Sequence, residues 1–361
     1  MKYIYFEKNQ TKSIRSEKYN SDFDTVTGLF KRWGSTIEDD PAYSPFGPEI
    51  LDIEISSGKC KGNCPWCYKG NTSNQSIKYM SLETFKSIFD KLDTNVCGQI
   101  AFGITDIDAN PDFWYIMQYA RSHNVVPNYT TNGIGVTDEV AQKTHDLCGA
   151  CAVSIYSHTK EIAYDAIAKY TATGMTQVNI HFMLSQETLD FAYQVLQDLE
   201  EDSRLQKVNA IVFLQYKDKN PKATHHSPTF DQFKALVDFC LQENIRFGFD
   251  SCSGSMFMKS VVTRPNATEL IQYVDNCESS LMSFYLNVDG VAYPCSFLEG
   301  IGVWEEGIDV TKVDNFFKEV WYNDKIVQYR DRLINSSKSC ACSFSGQCRS
   351  CMEYDINKCK V

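Results

Sequence analysis

Residues Ile50-Leu51-Asp52-Ile53-Glu54-Ile55 alternate apolar with acidic side chains, and shortly afterwards the chain reads Cys60-Lys61-Gly62-Asn63-Cys64-Pro65-Trp66-Cys67. Such alternation predicts a half-buried strand, so this C-x3-C-x2-C run sits in the loop that leaves the strand's carboxyl end. Thiolates this close in sequence can converge on one metal centre, and iron–sulfur clusters are held by compact cysteine runs. Three ligands leave one of four irons open, and an open position separates a reactive centre from a structural one. Two other readings of the spacing stand beside this one: a zinc site completed by a distant ligand, and three unrelated buried thiols.

Outward from the loop, short apolar runs alternate with helical patterns. Strands are predicted over 51–56, 98–103, 125–130, 151–156, 176–182 and 207–214, and helices over 81–94, 112–123, 137–147, 159–173, 187–201 and 229–244. Val178-Asn179-Ile180-His181-Phe182 is a β-branched and aromatic run, whereas Leu189, Ala192, Tyr193, Leu196 and Leu199 recur at helical spacing. Ser81 is placed to start the first helix. Six β–α pairs imply parallel strands joined by right-handed crossovers. The fold class is α/β, a partial (β/α)6 TIM-like barrel over 50–250, with an open doubly wound sheet as the alternative. Either geometry puts ligands at the carboxyl ends of the strands, where the cysteine loop lies.

Residues 1–49 read as an irregular N-terminal extension. Beyond about residue 250 the rhythm stops and cysteines crowd in: Cys252, Cys277, Cys295, Cys340, Cys342, Cys348, Cys351 and Cys359. Phe284 to Tyr293 reads as a hairpin turning at Asp289-Gly290, and a helix is expected over much of 311–334. Segment 251–361 is therefore a second, smaller domain that relies on metals or disulfides in place of a large core.

The 361 residues carry a formal net charge of −11 and 43% hydrophobic residues. That content supports a sizeable core. The charge argues against a general nucleic-acid surface and favours a basic peptide partner. Fifteen cysteines, an odd number, argue against a fully paired disulfide framework. No secretory h-region and no membrane-length apolar stretch is visible, so a reducing, cytoplasmic setting is expected.

With these residues in view, the chain resembles the radical S-adenosylmethionine (radical SAM) enzymes that carry a C-terminal SPASM domain. Cys60, Cys64, Trp66 and Cys67 match the first signature, C-x3-C-x-Φ-C. Cys277-x12-Gly290-x4-Cys295 matches the opening of the second, and Cys340-x-Cys342-x5-Cys348-x2-Cys351 followed by Cys359 matches its remainder with two spacings each one residue short. The resemblance implies S-adenosylmethionine on a [4Fe–4S] cluster held by Cys60, Cys64 and Cys67, cleaved to a 5′-deoxyadenosyl radical. It implies two auxiliary [4Fe–4S] clusters, one on Cys252, Cys277, Cys295 and Cys351, the other on Cys340, Cys342, Cys348 and Cys359. Trp66 is implied near the adenine and Asp106 at the methionine amine, where Ile104-Thr105-Asp106 replaces the family's Gly-Gly-Glu. Thr131 and Asn132 fall in a Thr-x-Asn-Gly segment, and Ser154 falls where the ribose is often contacted.

The implied function is hydrogen abstraction from a ribosomally made peptide or protein, giving an oxidative modification such as a crosslink. Modification of a small molecule or nucleoside, and a non-catalytic iron–sulfur protein, are the alternatives. Ser296 after Cys295, where the sulfatase-maturing branch has Asp, turns the reading away from formylglycine formation. A flavodoxin or ferredoxin would serve as reductant. Residues 1–49 are expected to leave no room for a winged-helix leader-binding module, so a separate recognition protein recruits the substrate, residues 1–49 do so themselves, or the substrate bears no leader. Cys97, Cys148, Cys151 and Cys240 remain as packing thiols, with Cys148 and Cys151 near His145 as a possible redox or zinc pair. His225 and His226 are expected to be solvated, and Tyr216, Lys217 and Asp250 are candidates for touching substrate. No catalytic residue is assigned.

Overall fold

The computed structural model describes residues 1–6, 10–219, 224–272, 274–336, 349 and 351–354. In place of the expected irregular extension, β1 (Lys2–Phe6), β2 (Thr11–Arg15), β3 (Asn20–Asp24) and β4 (Phe30–Trp33) form an antiparallel meander. Apolar alternation does not betray these strands because much of their buried side is polar: Lys12, Ser13, Asn20 and Ser21. The Lys12 ammonium donates to the carbonyls of Thr94 and Cys97, which anchors the meander to the rest of the molecule.

Next come β5 (Ile50–Glu54), the hairpin strands β6 (Ser56–Gly58) and β7 (Ile77–Tyr79), and α1 (Leu82–Phe89). The repeating unit continues through β8 (Gln99–Gly103), α2 (Phe113–Ser122), β9 (Val126–Thr131), α3 (Asp138–Leu147), β10 (Ala150–Ser154) and α4 (Lys160–Ala172). It ends with β11 (Val178–Leu184), α5 (Leu189–Glu201), β12 (Ala210–Gln215), α6 (Phe230–Gln242) and β13 (Phe247–Phe249). Ser81 caps α1, its hydroxyl accepting from the Thr84 N–H. After α7 (Gly254–Val261) and α8 (Ala267–Ile271), the strands β14 (Ser283–Leu286), β15 (Val291–Tyr293) and β16 (Ile308–Asp309) precede α9 (Asp324–Asn335).

One large mixed sheet runs β13-β12-β11-β10-β9-β8-β5-β14-β15-β16. From β5 to β13 the strands are parallel neighbours in chain order, without the reversal a doubly wound sheet requires. Right-handed crossovers all stepping one way put their helices on one face. Leu51, Ile53, Phe102, Ile180, Phe182 and Phe213 fill that face and are buried. The expected six strands are seven, because β13 is only three residues long and contains Gly248. The C-terminal segment is not separate from the sheet either: β14 pairs parallel to β5, Ser283 opposite Ile50 through Leu286 opposite Ile53.

The sheet curls. Lying flat, β12 and β15 would stand seven strand spacings apart, about 33 Å, yet Lys217, two residues beyond β12, places its Nζ 4.6 Å from the ring of Phe297, four residues beyond β15.

The turn between β14 and β15 falls at Asp289-Gly290 as expected, with Gly290 at φ +76° and Asn287 Oδ1 accepting the N–H groups of Asp289 and Val291. The helix expected over 311–334 is confined to α9, since a 3-10 turn at Val310–Lys312 and a π turn at Phe317–Trp321 take up the first half. Cys97, Cys148, Cys151 and Cys240 are buried, while His145 is exposed and does not join Cys148. Among the described residues no helix is long and apolar enough to cross a membrane.

Candidate cluster and cofactor site

The hairpin of β6 and β7 clamps the base of the cysteine loop. Cys60 N–H bonds the Thr72 carbonyl, Thr72 N–H bonds the Gly58 carbonyl, and Cys67 N–H closes a turn on the Cys64 carbonyl. The three thiols face one another closely enough for their charges to interact, and burial pushes the Cys64 thiol up to about 12. Burial also raises Cys60, opposed by the backbone N–H groups of Gly62 and Asn63 directed at its sulfur. Such N–H donors stabilise a thiolate rather than a thiol. Among the described residues no three His, Cys, Asp or Glu side chains close around a single ion.

Strand ends bring the other expected residues to this loop. Asp106 is buried, with one carboxylate oxygen accepting from Lys61 N–H at 2.9 Å and the other from Asn132 Nδ2 at 3.1 Å. The same Asn132 amide reaches the Thr105 carbonyl at 3.2 Å and lies 3.8 Å from Cys60 Sγ. Asp106 and Asn132 thus hold the loop directly. Thr131 shares the buried side of β9 with Tyr129, and its hydroxyl takes the Gly133 N–H. Thr130, not Thr131, faces inward, 3.3 Å from His181 Nδ1. Gly133, at φ +82°, lets this turn lie on α4, where a Cβ would come within 3.2 Å of Ala163 and Ala166.

Trp66 lies in an aromatic surround of Tyr156 at 5.7 Å, His158 at 6.0 Å and His225 at 4.7 Å. Ser154 lies close enough to act on the Tyr156 phenol, and His158 Nε2 stands 3.2 Å from the Gly62 carbonyl. Trp66 Nε1 and His225 Nδ1 are buried without a hydrogen-bond partner among the described residues. Two orphaned polar atoms beside three thiols fit a bound heterocycle that would satisfy them. His225 is therefore not the solvated residue expected; His226 is exposed, its ring bonded to Glu187 at 2.7 Å. Sequence reasoning missed Tyr156 and His158, whose only signal was position just beyond β10, and His181, which lies in the middle of β11.

A second group of thiols lies at the ends of β12 and β13. Cys252 senses the charges of Cys277 and Cys295, and Cys277 and Cys295 each sense Cys351. Burial lifts Cys277 to about 12 and Cys295 to about 11. Backbone N–H groups again oppose it, from Ser279 at Cys277 and from Phe297 and Leu298 at Cys295, while Tyr354 N–H donates to Cys351 Sγ at 3.4 Å. Lys217 is buried and ion-paired with Asp250 at 2.6 Å, and its charge reaches Cys252 and Cys295. Lys217 and Asp250 are thus committed to each other. Cys340, Cys342, Cys348 and Cys359 lie outside the described residues.

A charged cluster joins the two groups. Lys69 meets Glu54 at 3.0 Å, the Tyr285 hydroxyl at 2.8 Å and the Glu299 carboxylate, while Tyr68 stacks on Phe297 at 4.3 Å.

No family model matches the chain. Over 96 residues it is 29% identical to the mycofactocin maturase MftC of Mycolicibacterium smegmatis and 33% identical to that of Mycobacterium tuberculosis. Each match spans 27% of this chain and 24% of the relative, so the chain aligns with about a quarter of these relatives' length. Streptococcus suis SuiB bound to its precursor peptide SuiA superposes with a TM-score of 0.66 at 13% identity, covering 85% of this chain and 72% of SuiB. The protein anSMEcpe with bound AdoMet and a Cp18Cys peptide gives 0.61 at 16% identity, over 84% and 88%. The chain has the fold of these proteins. By matched sequence and by fold it resembles the radical SAM maturases, in agreement with the cysteine spacing.

Proposed function

We propose that the chain is a radical SAM enzyme that modifies a ribosomally made peptide or protein. The observation that carries this reading is the cysteine loop itself: three interacting thiols, backed by backbone N–H donors, beside the buried and unpartnered Trp66 Nε1 and His225 Nδ1. Cys60, Cys64 and Cys67 would hold a [4Fe–4S] cluster and S-adenosylmethionine, which together supply the radical chemistry. The protein's part is positional. Asp106 and Asn132 fix the loop, Trp66 with Tyr156, His158 and His225 encloses the adenine side, and Ser154 orients Tyr156. The curled sheet keeps the reacting carbon away from bulk water.

The finer assignments belong to the same proposal. Residues 1–49 form an N-terminal extension, 50–250 a partial barrel and 251–361 a SPASM domain. Cys252, Cys277, Cys295 and Cys351 would hold one auxiliary cluster, with Lys217 offsetting its negative charge, and Cys340, Cys342, Cys348 and Cys359 the other. A flavodoxin or ferredoxin in the cytoplasm would deliver electrons, and a separate protein would present the peptide. The relatives support the substrate class: their names describe a maturase, and SuiB was solved with a precursor peptide.

Anaerobic reconstitution followed by reduction with S-adenosylmethionine tests the reading. 5′-Deoxyadenosine should form and should vanish in the Cys60→Ala/Cys64→Ala/Cys67→Ala variant. Iron should reach about twelve per chain for three cubes, and fall to about eight in that variant. No 5′-deoxyadenosine from fully loaded protein would overturn the enzymatic reading, and iron near four would undo the auxiliary clusters.

A further inference from the structure

The concave face of the sheet carries mostly small or internally paired side chains, with one charge left over. Strand register places Tyr285, Asp52, Ala101 and Asn128 in one row and Glu54, Gly103, Thr130 and Ala152 in the row above. Nearly every polar group here is matched. Asn128 donates to Gln99 at 2.9 Å, Thr130 meets His181, Glu54 is paired with Lys69, and at the strand ends Asp250 is paired with Lys217.

Asp52 differs from all of these. Its neighbours Leu51 and Ile53 are buried under the helices, so its own side chain points to the opposite, concave side, where it is exposed. No hydrogen bond or ion pair to its carboxylate occurs among the described residues, and no charged group acts on it: the surrounding protein alone raises its carboxyl to about 6. The concave wall around it disfavours the charged form although the side chain still reaches solvent, and no counter-charge offsets this. A neutral residue at this strand position would avoid the penalty, so the free protein keeps an unbalanced charge that a bound molecule can balance. Beside it, Ala101 and Gly103 leave room along the sheet for an extended aliphatic stem.

We propose that Asp52 is an anionic subsite that receives a cationic side chain, lysine or arginine, from the substrate peptide lying in the concave face. This rests on the peptide reading above. It makes Asp52 a residue that selects the substrate and sets which carbon lies under the cysteine loop, which follows the carboxyl end of β5 and the short strand β6. The net charge of −11 would also draw a basic segment towards this face.

The test uses the full chain, reconstituted anaerobically and saturated with S-adenosylmethionine, against a positional-scanning library of fluorescent peptides with one position fixed in turn. Pools with Lys or Arg fixed at one position should bind about tenfold more tightly than the norleucine pool, a difference of about 1.4 kcal/mol. Asp52→Asn should bring the pools to within about twofold of each other while S-adenosylmethionine binding is unchanged, and Asp52→Glu should retain part of the preference. Peptide binding with no basic preference, or a preference that survives Asp52→Asn, overturns the subsite and leaves the peptide reading standing. No peptide binding by the wild-type chain overturns both. Should Asp52→Asn lose S-adenosylmethionine binding as well, Asp52→Glu decides: a full or absent preference there overturns the subsite.

Discussion

Replacing Lys69 by Met removes the cation that bridges two carboxylates. Its ammonium lies 3.0 Å from Glu54 Oε2 and also bonds Glu299, and the three side chains are only 12%, 8% and 22% exposed. Stripping a buried ion pair of one partner costs about 3–5 kcal/mol, a large share of the roughly 5–15 kcal/mol that holds a domain folded. The loss has a pH signature. Burial already holds the Glu54 carboxyl above its ordinary 4.5, and Lys69 is the largest opposing influence. A carboxyl raised on folding takes up its proton more readily when folded, so it favours the folded state below its unfolded pKa and this is lost as pH rises through the folded value. Without Lys69 the folded value climbs further. The deficit of Lys69→Met should therefore be greatest at pH 8 and shrink towards pH 5.5. Urea denaturation of the reduced, cluster-free chain, followed by tryptophan fluorescence, reads both quantities. Adding Glu54→Gln and Glu299→Gln should restore much of the loss. A deficit below about 1 kcal/mol at pH 8, the size of an exposed pair, or one equal at both pH values, would refute a desolvated cluster.

Gly290→Ala should lower stability by about 1–2 kcal/mol for left-handed backbone plus about 1–3 kcal/mol for overpacking, because the new Cβ would lie 2.6 Å from Ile88 Cδ1. Gly300→Ala, at φ +74° with nothing within 4 Å, should show only the backbone part in the same urea titration. Burial lowers His181 to about 4, so its ring should stay neutral at pH 5 in a histidine-resolved NMR titration. A histidine depressed on folding contributes stability that is present above its unfolded value and lost as pH falls through the folded one. The His181 contribution should therefore disappear between about pH 6.5 and 4, and titration of His181 near 6.5 would contradict its enclosure.

Most of the parallel sheet was legible in the sequence because strands such as β8, β11 and β12 keep an alternating burial pattern and the helices between them bury one side. Val178–Leu184 alternates without a break. The meander at the N-terminus escaped because Thr11–Arg15 and Asn20–Asp24 bury serine, lysine and asparagine, residues whose types argue for turns. β13 escaped through brevity. At the site, the cysteine spacing pointed to the loop, and the family resemblance pointed to Asp106, Asn132 and Ser154 at the strand ends. The spacing could not show that Asp106 is spent on Lys61 and Asn132. Nor could it show that Thr130 rather than Thr131 faces inward, since a one-residue shift reverses the face of a strand. His225 was invisible for another reason. It reaches Trp66 only because the sheet curls, and curvature arises from long-range packing that no local pattern encodes.

The same curl and pairing make one body of what the composition divides in two. β14 extends the sheet at β5, so Cys277, just before β14, and Cys295, just after β15, are carried on the strand edge next to the cysteine loop. Lys69 with Glu299, Lys78 with Asp289, and Tyr68 against Phe297 then tie the loop to that segment, and Lys217 with Asp250 ties the far strands to Cys252 and Cys295. A domain held by a flexible linker would let the separation of the two thiol groups vary. Here continuous backbone hydrogen bonds and buried ion pairs fix it. The polar clusters around Lys69 and Lys217 are therefore explained less by the modest net stability such pairs give than by where they hold the two thiol groups relative to each other.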